Sequence, residues 1–110
     1  MVLYRNNITR STKNKKGSKY ITMDYPLFRI LNSVKRKPQY INYIKIFSNL
    51  EKLIGTFDYN EEVMASRMCK IYEKLVIIHN NIMSKRQIIN TLSLVLTNVE
   101  ILIIMENSLI

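Results

Sequence analysis

The first 20 residues constrain the fold of this chain most, because they hold six basic side chains, no acidic one, and no apolar residue between Ile8 and Tyr20. Asn, Ser, Thr, Lys and Arg fill most of this stretch, which has too little apolar surface to form a packed element alone. The sequence therefore predicts two parts: a basic arm over residues 1–20, extended or disordered, and a single small domain over residues 21–110.

The net charge of +9 lies entirely in the first 38 residues, close to the boundary between the arm and the domain. Up to Pro38, ten basic residues face a single acid, Asp24, whereas from Gln39 onward seven basic and seven acidic residues balance. Clustered Lys and Arg side chains displace the counterions that condense on nucleic acid or on an anionic lipid surface. The charge distribution therefore indicates a polyanionic partner.

Apolar spacing predicts an all-α domain, a small bundle of about four helices over residues 25–36, 39–54, 59–79 and 85–105. Asp24 is a candidate N-cap for the first helix, and Pro26 fits its first turn, where the missing N–H costs nothing. Pro38 ends that helix and opens the second. The inward residues expected in these two helices are Leu27, Ile30, Leu31, Val34, Tyr40, Ile41, Ile44, Phe47, Leu50, Leu53 and Ile54.

The third helix is expected to carry a narrow apolar stripe. Asp58 and Glu61 have the spacing of a capping box at its start. The stripe repeats at alternating steps of four and three residues, a spacing suited to packing along another helix. Its members are Met64, Met68, Ile71, Leu75, Ile78 and Ile82.

The last segment is the most apolar and allows three interpretations. A capping-box pair, Ser84 and Gln87, predicts one helix with Ile88, Leu92, Val95, Val99 and Leu102 inward. The β-branched content instead favours two strands joined at Thr97 and Asn98. A C-terminal membrane anchor is the weakest interpretation, because Glu100 and several neutral polar residues would lie within the span.

The sequence argues against an enzyme. Cys69 and His79 are the only residues of their types, and a ten-residue separation places them about 15 Å apart along one helix. Cys69 is expected to be a buried thiol. Neither glycine belongs to a phosphate-binding motif, and no His/Cys cluster has metal-ligand spacing, so no cofactor and no metal are expected.

Nucleic-acid binding is the function that the sequence favours, for a non-catalytic component of a ribonucleoprotein or nucleoprotein assembly that contacts RNA or DNA. Lys and Arg offer charges for phosphates, and neighbouring Tyr side chains can stack on bases. No RNP, KH, zinc-finger or basic-zipper signature is present, so backbone contacts are expected to dominate. The expected nucleic-acid-binding residues are Arg5, Arg10, Lys13, Lys15, Lys16, Lys19, Tyr20, Lys35, Arg36, Lys37 and Tyr40.

A smaller anion site is predicted at Lys85 and Arg86. Both residues fall in the first turn of the fourth predicted helix, where positive charge opposes the helix dipole. An anion docked at that helix start would remove the conflict.

The alternative function is a helical interaction subunit, such as a viral or parasite adaptor. A partner helix would then pack on Met64, Met68, Ile71 and Leu75, and the basic arm would serve targeting. Other proteins of an assembly, or a second copy of the chain, are the expected protein partners. A single cysteine and the lack of a secretory signal predict an intracellular, reducing compartment. The composition of the basic arm also allows an organelle transit peptide.

Overall fold

The structure is a computed structural model that describes the backbone of residues 15–106 and the side chains of residues 25–106. Within that part the chain is helical and contains no strand, which confirms the all-α prediction and excludes the alternative of two strands within residues 91–105. The elements are α1 (Lys15–Lys35), a 3₁₀-helix (Pro38–Tyr43), α2 (Ile44–Ile54), α3 (Glu62–His79), α4 (Lys85–Leu92) and α5 (Asn98–Met105).

Helix α1 begins ten residues before its predicted start. Asp24 therefore lies inside the helix and does not cap it, and Pro26 is also internal. The helix continues through Pro26 at the cost of the hydrogen bond that the proline nitrogen cannot donate. The rest of the predicted arm, residues 1–14, lies outside the described residues.

The second predicted helix is in fact a 3₁₀-helix followed by α2. Because a 3₁₀-helix has 3.0 residues per turn, it changes which side chains face the core. Tyr40 and Phe47 are buried as predicted, but Ile41 is 65% exposed and Ile44 is 38% exposed. Ile46, which the uniform helical pattern left outside, is fully buried instead.

Helix α3 starts at Glu62, and the predicted capping box before it does not form. Glu61 is the N-cap without a side-chain cap bond. Asp58 accepts a hydrogen bond from the Asn60 N–H at 3.0 Å, so its carboxylate stabilises the preceding turn. The predicted stripe is confirmed for the four residues of α3 that are fully buried, Met68, Ile71, Leu75 and Ile78.

The last apolar segment is two short helices instead of one. The predicted capping box of Ser84 and Gln87 opens α4, and a second box of Thr97 and Glu100 opens α5. Because the chain is not helical between α4 and α5, the predicted pattern of buried residues does not continue from α4 into α5. Ile88 and Leu92 of α4 are fully buried as predicted, but Val99 and Leu102 are 66% and 63% exposed. Beyond α4 the buried residues are Leu96, Ile101 and Ile104.

The core joins α1 to α3 and α5 to α2, the two most extensive helix pairs. Two polar contacts anchor α5 in this arrangement. The amide of Asn49, a buried polar residue on α2, donates to the Ile104 carbonyl at 2.9 Å. The Arg67 guanidinium on α3 forms two hydrogen bonds to the Glu100 carboxylate, at 2.6 and 3.1 Å.

Among residues 15–106, no helix has both the length and the apolar character that a membrane crossing requires.

Candidate nucleic-acid interface

One side of α1 presents polar and aromatic side chains away from the core. Leu27, Leu31 and Val34 anchor the helix on its buried side. On the other side, steps of four, three and four residues keep four exposed side chains within about 60° of one another at 3.6 residues per turn. We call this set the outer face of α1; it consists of Tyr25, Arg29, Asn32 and Arg36.

The two guanidinium groups on the outer face are not neutralised by nearby carboxylates. In the part of the chain with described side chains, neither Arg29 nor Arg36 forms an ion pair. Lys35, by contrast, lies 2.7 Å from a carboxylate oxygen of Glu51. The predicted cluster at residues 35–37 is therefore divided: Arg36 is exposed and unpaired, Lys35 is paired with α2, and Lys37 is half-buried.

Two shallow cavities border the outer face. The first, of about 220 Å³, lies between α1 and α3 and is lined by Tyr25, Pro26, Arg29, Ile30, Ser33 and Tyr72. The second, of about 200 Å³, is lined by Tyr25, Phe28, Arg29, Asn32 and Arg36. Tyr25 and Arg29 line both cavities, so an aromatic ring and a guanidinium group lie at the centre of the surface.

Tyr40, one of the expected nucleic-acid-binding residues, does not belong to this surface. Its side chain is fully buried, with ring centroids of Tyr43 and Phe47 at 6.2 and 5.9 Å. Its hydroxyl lies 2.7 Å from the Ile78 carbonyl and 2.5 Å from the Asn81 carbonyl. A buried ring with its polar end occupied is part of the core and cannot reach a base.

The predicted nucleic-acid-binding residues of the basic arm have no described side chains, so they are not assigned to this surface. Arg5, Arg10 and Lys13 lie outside the described residues. The backbone of Lys15, Lys16, Lys19 and Tyr20 belongs to α1, so these residues continue the helix that presents the outer face. Their side chains also lie outside the described residues.

The stripe proposed to bind a partner helix is occupied within the chain. Met68, Ile71 and Leu75 are fully buried in the core of a fold in which α1 packs on α3, and Met64 is half-buried. An exposed apolar surface occurs elsewhere, on α5, where Val99 and Leu102 are joined by Ile103 at 42% exposure.

Lys85 and Arg86 lie in the first turn of α4, as predicted, beside a groove of about 400 Å³. Ile89, Asn90 and Met105 complete its lining, and its surface is largely apolar. The groove thus places two cations beside aliphatic side chains and one amide.

Cys69 is exposed, so the predicted buried thiol is wrong. His79 is the last residue of α3, and its ring Nδ1 lies 3.4 Å from the Asn80 side-chain oxygen. Residues 69 and 79 share one helix at a spacing of about 15 Å, which prevents contact between them. Among the described residues, no group of three or more His, Cys, Asp or Glu side chains could hold a metal ion.

The pKa of one acid is displaced, and its position indicates a structural role. Burial raises the pKa of Glu100, but hydrogen bonds from Arg67 and from the Thr97 backbone, with the positive charge of Arg67, outweigh burial and hold it below the ordinary value. The Arg67 guanidinium also lies 5.0 Å from the Phe57 ring centroid. This cluster fixes α5 on α3 and leaves Glu100 ionised.

Sequence reasoning missed Tyr25, Arg29 and Asn32 as surface residues. The signal was present, because their spacing is the complement of the apolar spacing of Leu27 and Leu31 on the same helix.

Comparisons of the chain with protein-family models, curated proteins and solved structures found no match.

Proposed function

We propose that this protein is a non-catalytic nucleic-acid-binding component of a ribonucleoprotein or nucleoprotein assembly. The outer face of α1 contacts the phosphate backbone, together with the basic residues that precede it in the chain. The observation that supports this most strongly is the pair of exposed guanidinium groups, Arg29 and Arg36, without a carboxylate partner among the described side chains.

The geometry of this pair suits a phosphate chain. Arg36 follows Arg29 by seven positions, so the two arginines lie about 10 Å apart along one helix face. Arg presents its donors as a planar fork that matches phosphate oxygens. Asn32 lies between the two and adds a neutral donor and acceptor.

Further positive charge precedes the outer face in the chain. Lys15, Lys16 and Lys19 belong to the backbone of α1, and Arg5, Arg10 and Lys13 precede it. A polyanion held along α1 would release counterions over this whole length, which makes its binding strongly dependent on salt.

The test is binding of RNA and DNA oligonucleotides by fluorescence anisotropy across a salt series. The expected result is an affinity that falls steeply between about 50 and 200 mM salt. Replacing both Arg29 and Arg36 by Ala should lower the magnitude of the salt slope by about 1.4 to 1.8, since each phosphate contact contributes about 0.7 to 0.9. Lys45→Ala with Lys70→Ala is the matched control, because it removes the same charge from exposed positions on α2 and α3.

Before the binding assay, the absorbance of the purified protein tests whether nucleic acid copurifies with it. The chain has no Trp and seven Tyr, so its own absorbance is low, and copurified nucleic acid would dominate the ratio of absorbance at 260 nm to that at 280 nm. If the purified protein binds neither RNA nor DNA even at low salt, the proposed function is wrong.

A second candidate function, a helical interaction subunit, is favoured by the exposed apolar side chains on α5. A helix that is apolar on both faces usually has protein on both faces. A second copy of the chain is the simplest partner for Val99, Leu102 and Ile103. Sedimentation velocity tests this: dimers that Leu102→Asp dissociates would support it, and a monomer at high concentration would refute it.

A further inference from the structure

We infer that the cavity between α1 and α3 binds an unpaired base, so that the nucleic acid held by this protein is single-stranded at this point. This inference rests on the proposed function and adds the class of nucleic acid and the position of one base. It is carried by the side chains that the fold brings to one cavity from two helices, Tyr25, Arg29 and Ser33 of α1 and Tyr72 of α3.

Two tyrosine side chains line the cavity. Tyr25 is 70% exposed, and Tyr72 is half-buried against the core. Neither ring makes a ring contact with another aromatic side chain among the described residues, so their faces are not already occupied by stacking. A base binds to such rings through its flat face, which every nucleobase possesses.

Polar groups at the same cavity suit the edge of a base and its phosphate. Within residues 25–106, the Ser33 hydroxyl and the Arg29 guanidinium have no hydrogen-bond partner. A hydroxyl can donate or accept, and a guanidinium can bind a base edge or a phosphate. Arg36, about 10 Å further along the outer face, provides the next position for the backbone.

Aromatic rings and polar groups in one cavity should favour single-stranded over double-stranded nucleic acid. In a duplex the faces of the bases are covered by their neighbours, and only the base edges are accessible in the grooves. A cavity lined by tyrosine side chains therefore gains contact area with a base only when that base is unpaired and unstacked. Arg29 and Arg36 alone would bind both forms, whereas Tyr25 and Tyr72 should favour the single strand.

The experiment compares a labelled oligouridylate of about 12 nucleotides, within the site sizes of single-strand binders, with a hairpin duplex of equal length. Tyr25→Ala should weaken binding of the single strand by about 5- to 150-fold, the range measured when a stacking aromatic residue is removed. Tyr25→Phe should retain affinity, because it keeps the ring. Leu94→Ala is the matched control, an apolar side chain of similar exposure outside this cavity.

A second variant gives a readout that does not depend on affinity. Because the chain has no Trp, Tyr25→Trp introduces a single indole at the cavity. Its fluorescence should be quenched when the oligouridylate binds and should change little when the duplex binds.

The outcomes separate this inference from the proposed function. If the single strand and the duplex bind equally and Tyr25→Ala changes neither affinity, the base site is wrong while the proposed function stands. An indole that is not quenched by a saturating single strand overturns the base site in the same way. If no oligonucleotide binds the unmodified protein, the proposed function and the base site are both wrong.

Discussion

Replacing Tyr40 by Phe removes one oxygen atom from the core and leaves the ring in place. The hydroxyl is near two carbonyl oxygens, those of Ile78 at 2.7 Å and Asn81 at 2.5 Å, and it accepts a hydrogen bond from the Met83 N–H at 3.2 Å. It has one proton, so it can donate fully to only one carbonyl at a time. The substitution therefore removes one donated and one accepted hydrogen bond where α3 leads into α4.

The expected loss follows from these two bonds. Each typically contributes about 0.5 to 1.5 kcal/mol net, and a buried partner left unsatisfied costs more than an exposed one. Asn81 is exposed, so its carbonyl can bind water, whereas the hydrogen bond to Ile78 is buried. We expect Tyr40→Phe to lower the free energy of unfolding by about 1 to 3 kcal/mol, with no cavity contribution because the ring remains.

Urea unfolding followed by circular dichroism measures this loss, with Tyr43→Phe as the matched control. Tyr43 is half-buried beside Tyr40, and its hydroxyl has no hydrogen-bond partner among the described residues. The control should change the free energy of unfolding by less than about 0.5 kcal/mol. Equal effects of the two substitutions would refute the assigned role of the Tyr40 hydroxyl. Folded Tyr40→Phe protein should bind nucleic acid as the unmodified protein does, because the ring is not on the surface.

Three further predictions concern other contacts. The ionised Glu100 stabilises the fold above its ordinary pKa of 4.5, and this contribution is lost as the pH falls through the lower pKa of the folded state; Glu100→Gln should flatten that acid-side decline in urea unfolding at a series of pH values. Thr97→Ala removes the N-cap of α5 and should cost about 0.5 to 2 kcal/mol, with faster amide hydrogen exchange confined to α5 if the rest of the fold is retained. A double-mutant cycle of Lys35→Ala and Glu51→Ala should give a coupling below about 1 kcal/mol that falls with added salt, since both side chains are partly exposed; a larger, salt-independent value would contradict this.

The local apolar pattern was sufficient to predict the buried residues of those helices in which the apolar spacing is unbroken. Leu27, Leu31 and Val34 on α1, and the stripe on α3, could be predicted because a regular helix fixes which residues share a face. The capping box of Ser84 and Gln87 was equally predictable, since its two hydrogen bonds join residues three positions apart.

The same reasoning failed where a helix is interrupted. Residues 85–105 fit one continuous apolar phase, yet Thr97 and Glu100 begin a new helix, and Val99 and Leu102 face outward. The Thr97 and Glu100 pair matches a capping box in sequence, so the break had a local signal that the strong apolar content outweighed. Ile41 and Ile44 were predicted inward but are exposed for a related reason: the 3₁₀-helix changes the helical phase by an amount that the apolar pattern alone does not show.

The sequence by itself determined the helical class and the concentration of positive charge before Pro38, because periodicity and charge are properties of consecutive residues. Only the tertiary structure decided which cations remain unpaired. Lys35 and Arg36 are neighbours in sequence, but packing of α2 against α1 brings Glu51 to Lys35 and leaves Arg36 exposed on the outer face of α1. The cavity between Tyr25 and Tyr72 arises in the same way, since residues 47 positions apart meet only when α1 packs on α3.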